Sequence, residues 1–180
     1  MVSVLILFLD GVGLGDANPE ANPFMHAETP FLRSLLGVPY LVQGAAGTHR
    51  GQAVLLGLDA SLGVEGLPQS ATGQTAILTG TNAPALLGEH FGPYPSSRLR
   101  SLLGENSIFR TLTEDGHPVA YANAYPHRFL DRLERGKGRL SANTTAARLA
   151  GLKLRESSDL IAGRAINALL TNEFWPEPEI

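Results

Sequence analysis

Val2-Ser-Val-Leu-Ile-Leu-Phe-Leu9 is an apolar run, interrupted only by Ser3, that stops at a carboxylate, Asp10. Eight residues fall far short of a membrane-spanning helix, which needs ~20. No basic residue follows Met1 and no small-residue cleavage site follows the run, so it does not read as a secretory signal. Its length and its β-branched and aromatic content fit a strand covered on both faces, the central strand of a parallel sheet. Such a strand needs helices on both sides, and the fold expected is therefore α/β.

The rest of the chain alternates in the same sense. Thr29-Pro30 opens a helix, with Thr29 as cap and Pro30 in the first turn. Phe31, Leu32, Leu35 and Leu36 give it an apolar face and Gly37 ends it. One or two strands are expected between Tyr40 and Val64. Gly66 to Gly73 reads as a loop and Gln74 to Leu78 as the start of a helix. Asn82 to Pro95, with its prolines, reads as irregular. Ser107 to Glu114 predicts a helix, Asp115-Gly116 a turn and Pro118 to Ala122 a strand. Residues 127–140 are dense in Arg and Lys and belong at the surface. Ser157-Ser-Asp159 starts a last helix, Leu160 to Leu170. Right-handed crossovers put the strand C-termini on one edge, where sites form in such folds. Asp10 stands at such an end.

With 180 residues, 43% of them hydrophobic, the chain has enough apolar material for a real core. A net charge of −3 without a basic stripe argues against nucleic acid as a partner. Cysteine is absent, which removes disulfides and thiolate metal sites and fits a cytoplasmic protein.

Two segments carry chemistry. Asp10 precedes the flexible glycines Gly11, Gly13 and Gly15, which let a metal or phosphate approach the backbone; an Asp capping a turn is the plainer alternative. Gly11-Val-Gly-Leu-Gly15 is not the G-x-G-x-x-G of a dinucleotide loop, and the next helix starts too late to hold a pyrophosphate. In Ser70-Ala-Thr-Gly-Gln-Thr75-Ala-Ile-Leu-Thr-Gly80, a helix starting at Gln74 puts the Thr75 hydroxyl in its first turn, where free N–H groups favour an alkoxide and an incoming phosphate. Gly73 allows the turn before it. Capping alone would need only one of the four hydroxyl residues between 70 and 79.

Together, Leu7-Phe-Leu-Asp-Gly-Val-Gly13, Asn22-Pro-Phe, Thr29-Pro30 and Gly66-Leu-Pro-Gln-Ser-Ala-Thr-Gly-Gln-Thr-Ala-Ile-Leu-Thr-Gly80 resemble the alkaline phosphatase superfamily. The branch they resemble is that of cofactor-independent phosphoglycerate mutase and phosphopentomutase. The resemblance covers the chain to about Tyr125 and is only general beyond. It implies a three-layer sandwich with a mostly parallel central sheet, Asp10 as a metal ligand, and Thr75 as both nucleophile and metal ligand. It also implies two divalent ions (zinc or manganese) and a small-molecule phosphate ester as substrate. Where the mutases have a Gly-Asn-Ser step, this chain has Gly73-Gln74-Thr75. Thr75-Ala-Ile-Leu-Thr-Gly80 is instead closer to the nucleotide pyrophosphatase and phosphodiesterase form, so phosphatase, phosphodiesterase and phosphomutase all remain open. Gln74, His90 and Asn123 are candidate substrate-binding residues.

The family's further ligands, Asp-His steps and a late His, have no counterpart among His26, His49, His90, His117 and His127. The chain therefore reads as an N-terminal half, incomplete at its C-terminus. Residues 1–125 would belong to the metalloenzyme core and 126–180 to a helical insertion or cap. Such a half is expected to bind no tight metal pair, to be inactive alone and to expose an apolar surface. Arg128, Arg132, Arg135, Lys137 and Arg139 read as a solvated face, with phosphate binding as the alternative. Two other readings stand beside the leading one. In a haloacid-dehalogenase-type phosphatase Asp10 would be the nucleophile, although Val12 stands where that family has a second Asp. A non-catalytic α/β binding domain is the other. No membrane partner is expected, and the oligomeric state stays open.

Overall fold

The structure, a computed structural model, describes residues 3–168, 171 and 175. Val2 and the ends of two expected features, Leu169-Leu170 and most of 172–180, lie outside the described residues. The chain divides into two compact units, residues 1–60 and 61–180. It is mixed α/β, as the alternation of elements predicts. No helix among the described residues is long and apolar enough to cross a membrane.

In the first unit the expected opening strand is not formed. Residues 3–9 have no strand partner and lie open to solvent: Val4 is 82% exposed, Leu5 90% and Leu7 62%. The composition of the run demands cover, but cover comes from neighbouring strands and helices, and the described part of this unit supplies none. Its ordered part is small. Helix α1, Pro30–Leu36, starts at Pro30 and ends on Gly37 at φ 71, as the local signals predict. Its apolar stripe is nevertheless only partly covered, with Leu36 buried and Phe31 73% exposed. Strands β1, His49–Arg50, and β2, Ala53–Val54, form a minimal antiparallel hairpin. The buried Asn22 side chain ties the loop after the glycines. Its amide donates to the Asp16 carbonyl at 2.9 Å and its carbonyl accepts from Phe24 N–H at 3.0 Å. Arg33 lies over the Tyr40 ring, 5.2 Å from the centroid.

The second unit holds a real core. Its elements are α2 (Ser70–Thr79), α3 (Ala83–Leu87), α4 (Ser97–Asn106), α5 (Ile108–Glu114), β3 (Asn123–Tyr125), α6 (His127–Glu134), α7 (Ala142–Leu149), β4 (Arg155–Glu156), α8 (Ser157–Ile161) and β5 (Ile166–Asn167). Side-chain caps define most helix starts. Asn82, Ser96, Ser107 and Ser141 accept from the N–H of Ala85, Leu99, Arg110 and Thr144 respectively. Two layers of apolar contact hold α2 in place. Ala71, Ala83 and Leu99 pack on one side of it. Leu78 meets Leu103, Ala142 and Ala146 on the other, closed by Phe109. Alanines at these positions let α2, α4 and α7 approach closely, so Leu99 and Leu103 are wholly buried.

Strands β4, β3 and β5 form a parallel sheet in that order, with Ala124 beside Arg155 and Asn167. Several expectations shift here. The strand predicted over 118–122 forms at Asn123–Tyr125 instead. Asn82 to Pro95 contains α3 rather than being wholly irregular. The last helix is short, ending at Ile161 before β5. The sheet joins strands on both sides of the expected 125/126 boundary. Residues 127–140 are largely solvent-facing, as their charge predicts, with α6 their ordered part.

Candidate functional site

The hydroxyl-rich segment behaves differently from its expectation. Gln69 is extended (φ −123, ψ 147) and the helix starts at Ser70, not at Gln74. Gly73 is inside the helix rather than in a turn before it. Thr75 is accordingly mid-helix, fully buried, and its Oγ1 donates to the Ala71 carbonyl at 2.7 Å. The first-turn argument that favoured Thr75 applies instead to Ser70, the first residue of the helix and partly exposed. This correction follows from the helix boundary alone.

The loop after α3 braces that helix start. Thr72 N–H donates to the Phe91 carbonyl at 3.1 Å, and Phe91 N–H donates to Thr72 Oγ1 at 3.2 Å. Gly92 then passes so close that a Cβ there would lie 3.1 Å from Gln69 Cβ and 3.3 Å from Ser70 N. Only glycine fits this approach without a shift. Among the described residues the N–H groups of Ser70 and Ala71 have no acceptor, while Gly73 N–H bonds back to Gln69. Ser70 thus stands partly exposed at the positive end of a ten-residue helix, where a negative charge is favoured, while Ala71 beside it is fully buried.

The other candidates have structural occupations. Gln74 is buried, and its Oε1 accepts from Asn143 N–H at 3.2 Å, so it joins α2 to the first turn of α7. The His90 imidazole lies 3.2 Å from the Val64 carbonyl through Nε2 and ties down the loop that leads to α2. Asn123 opens β3, two residues before Tyr125. A hydroxyl cluster that sequence patterning does not show sits at the start of α7. Tyr125 meets Thr144 at 2.7 Å, with Ser141 and Tyr121 within 2.9 Å and 3.2 Å of the same oxygen. Burial raises the Tyr125 phenol above its ordinary value, with the neighbouring Tyr121 adding to the effect, so it stays a neutral hydroxyl.

Asp10 is exposed, in a turn completed by Gly11 at φ 72. It belongs to the first unit, and Ser70 and Thr75 belong to the second. Among the described residues no group of three or more His, Asp or Glu is gathered to hold a metal ion. Comparison of the chain with protein-family models, with curated proteins and with solved structures found no match.

Proposed function

We propose that the chain is a phosphoryl-transfer enzyme of the metal-dependent, alkaline-phosphatase-like class, with Ser70 as its nucleophile. The observation that carries this reading is the partly exposed Ser70 hydroxyl in the first turn of α2, at the positive end of a ten-residue helix. The sequence resemblance supplies the reaction class; the helix boundary favours Ser70 over Thr75.

The chemistry is direct. The Ser70 oxygen attacks phosphorus of a monoester, the bond to the leaving oxygen breaks, and the serine proton ends on the departing alcohol. The positive end of α2 meets the charge on the phosphoryl oxygens. Water then releases phosphate from the phosphoserine, or an acceptor hydroxyl takes the phosphoryl group, which separates hydrolase from mutase. Two divalent ions would lower the hydroxyl pKa and screen the phosphate. The donors gathered among the described residues do not fit a resident two-ion centre, so no step here runs through the ions. Asp10 keeps its proposed role as a ligand, with further ligands needed beyond this donor set. The finer fold reading, a three-layer sandwich completed by additional strands, is part of the same proposal; the uncovered apolar run before Asp10 supports it.

The experiment is trapping with an aryl phosphate in the presence of zinc or manganese, followed by peptide mass spectrometry. Phosphate on Ser70, lost in Ser70→Ala, is the expected result. Phosphate on Thr75 or Asp10 would overturn the assignment, the latter in favour of dehalogenase-type chemistry.

A further inference from the structure

The second unit has a cleft of about 700 Å³ between the loop 91–96, α4, the segment 138–140 and the end of α7. Three arginines line it, Arg100, Arg139 and Arg148, and no Asp or Glu does. None of the three forms an ion pair among the described residues, although other arginines of this unit do: Arg110 with Glu114, and Arg155 and Arg164 with Asp159. Three like charges left together without a counter-charge repel one another, and that repulsion is relieved by binding an anion.

The walls are not uniformly polar. Phe91, Tyr94 and Leu149 also line the cleft. The Arg139 guanidinium lies over the Tyr94 ring, 5.7 Å from its centroid, which orients the charge while leaving its N–H edge for a ligand. Arg100 is braced as well: its Nη1 donates to the Pro95 carbonyl at 2.7 Å. Arg148 projects from the last turn of α7. Guanidiniums fixed by stacking and by a backbone carbonyl lose less freedom on binding than loose surface side chains do. The sequence reads the stretch containing Arg139 as a solvated face, with phosphate binding as the alternative; Arg139 is exposed, and the fold brings it beside arginines from two other elements.

We infer that this cleft is a binding site for a small organic anion with at least two negative charges and an apolar or aromatic body. The charged group is held by the guanidinium forks and the body lies against Tyr94 and Leu149. The inference stands apart from the role given to Ser70.

The test is calorimetric titration in the Ser70→Ala background, so that neither turnover nor loss of the Ser70 reading alters the outcome. The probe is phenyl phosphate, compared with inorganic phosphate and with phenol. Phenyl phosphate is expected to bind more tightly than either and to weaken as salt is raised. Arg139→Gln and Arg148→Gln, both at exposed side chains and so compatible with the fold, should each weaken it by about tenfold, the order of one charge-assisted hydrogen bond. Tyr94→Ala should narrow the gap between phenyl phosphate and inorganic phosphate. Absence of binding at millimolar probe, or binding that both arginine variants leave unchanged, would overturn the inference.

Discussion

Replacing Thr75 by valine separates a structural hydroxyl from a chemical one. The side chain is wholly buried and its one recorded hydrogen bond goes to the Ala71 carbonyl, four residues back in the same helix. That carbonyl also accepts the helical N–H of residue 75, so valine orphans no buried acceptor. The direct loss is then one net hydrogen bond, about 1 kcal/mol. A methyl cannot sit at the 2.7 Å the hydroxyl occupies, and the shift it forces adds up to about 1 kcal/mol more. The sum, about 1–2 kcal/mol, lowers the melting temperature of a chain this long by roughly 2–8 °C. The assay is a urea or thermal melt beside an aryl-phosphate rate measured on the same sample. A destabilised Thr75→Val that keeps whatever aryl-phosphate turnover the parent shows is the expected outcome. A variant as stable as the parent, yet without turnover, would show that the Thr75 hydroxyl belongs to the chemistry and that the assignment to Ser70 is mistaken.

Gln74→Leu is expected to cost about 1–2 kcal/mol, because it leaves Asn143 N–H at the start of α7 without that acceptor. Thermal melting checks this, and an undiminished stability with a raised KM would return Gln74 to the substrate. Asp159 gives a pH signature. Burial works against its ionisation, but the Glu156 N–H, Arg164 and Arg155 outweigh burial and hold the carboxyl below its ordinary value. A depressed folded-state pKa means that this contribution is complete above about pH 4, the unfolded value, and is lost as pH falls through the folded value. Melting curves from pH 6 to pH 3 should therefore fall more steeply for the parent than for Asp159→Asn; parallel curves would refute the linkage.

What was legible in the sequence was what local chemistry decides. Pro30 and Gly37 bound α1, and Ser107 and Asp115-Gly116 bound α5, because caps and turns act over a few residues. Helix α7 was not legible: Ala-Asn-Thr-Thr-Ala-Ala-Arg-Leu has little apolar periodicity, and its burial comes from alanines fitting against Leu78 and Leu103. The position of β3 is set by the β4 and β5 partners, far along the chain, and no local signal records them. At the candidate site the helix was legible and its first residue was not. Spacing showed a hydroxyl-rich helix, but its starting point depends on the Phe91–Thr72 bonds across nineteen positions. The arginine cleft was equally hidden, since Arg100, Arg139 and Arg148 come together only in three dimensions.

The open run Val4–Leu9 governs how the protein behaves in company. Six consecutive uncharged, proline-free apolar residues, exposed and outside any strand pairing among the described residues, have the composition that stacks on the same segment of another molecule. Encounters between such segments scale with the square of concentration, whereas folding of the second unit does not depend on concentration at all. Dilution and time, more than temperature, then set how long a preparation stays clear. A charge placed within the run would act as a gatekeeper against that stacking while leaving the helices of the second unit untouched.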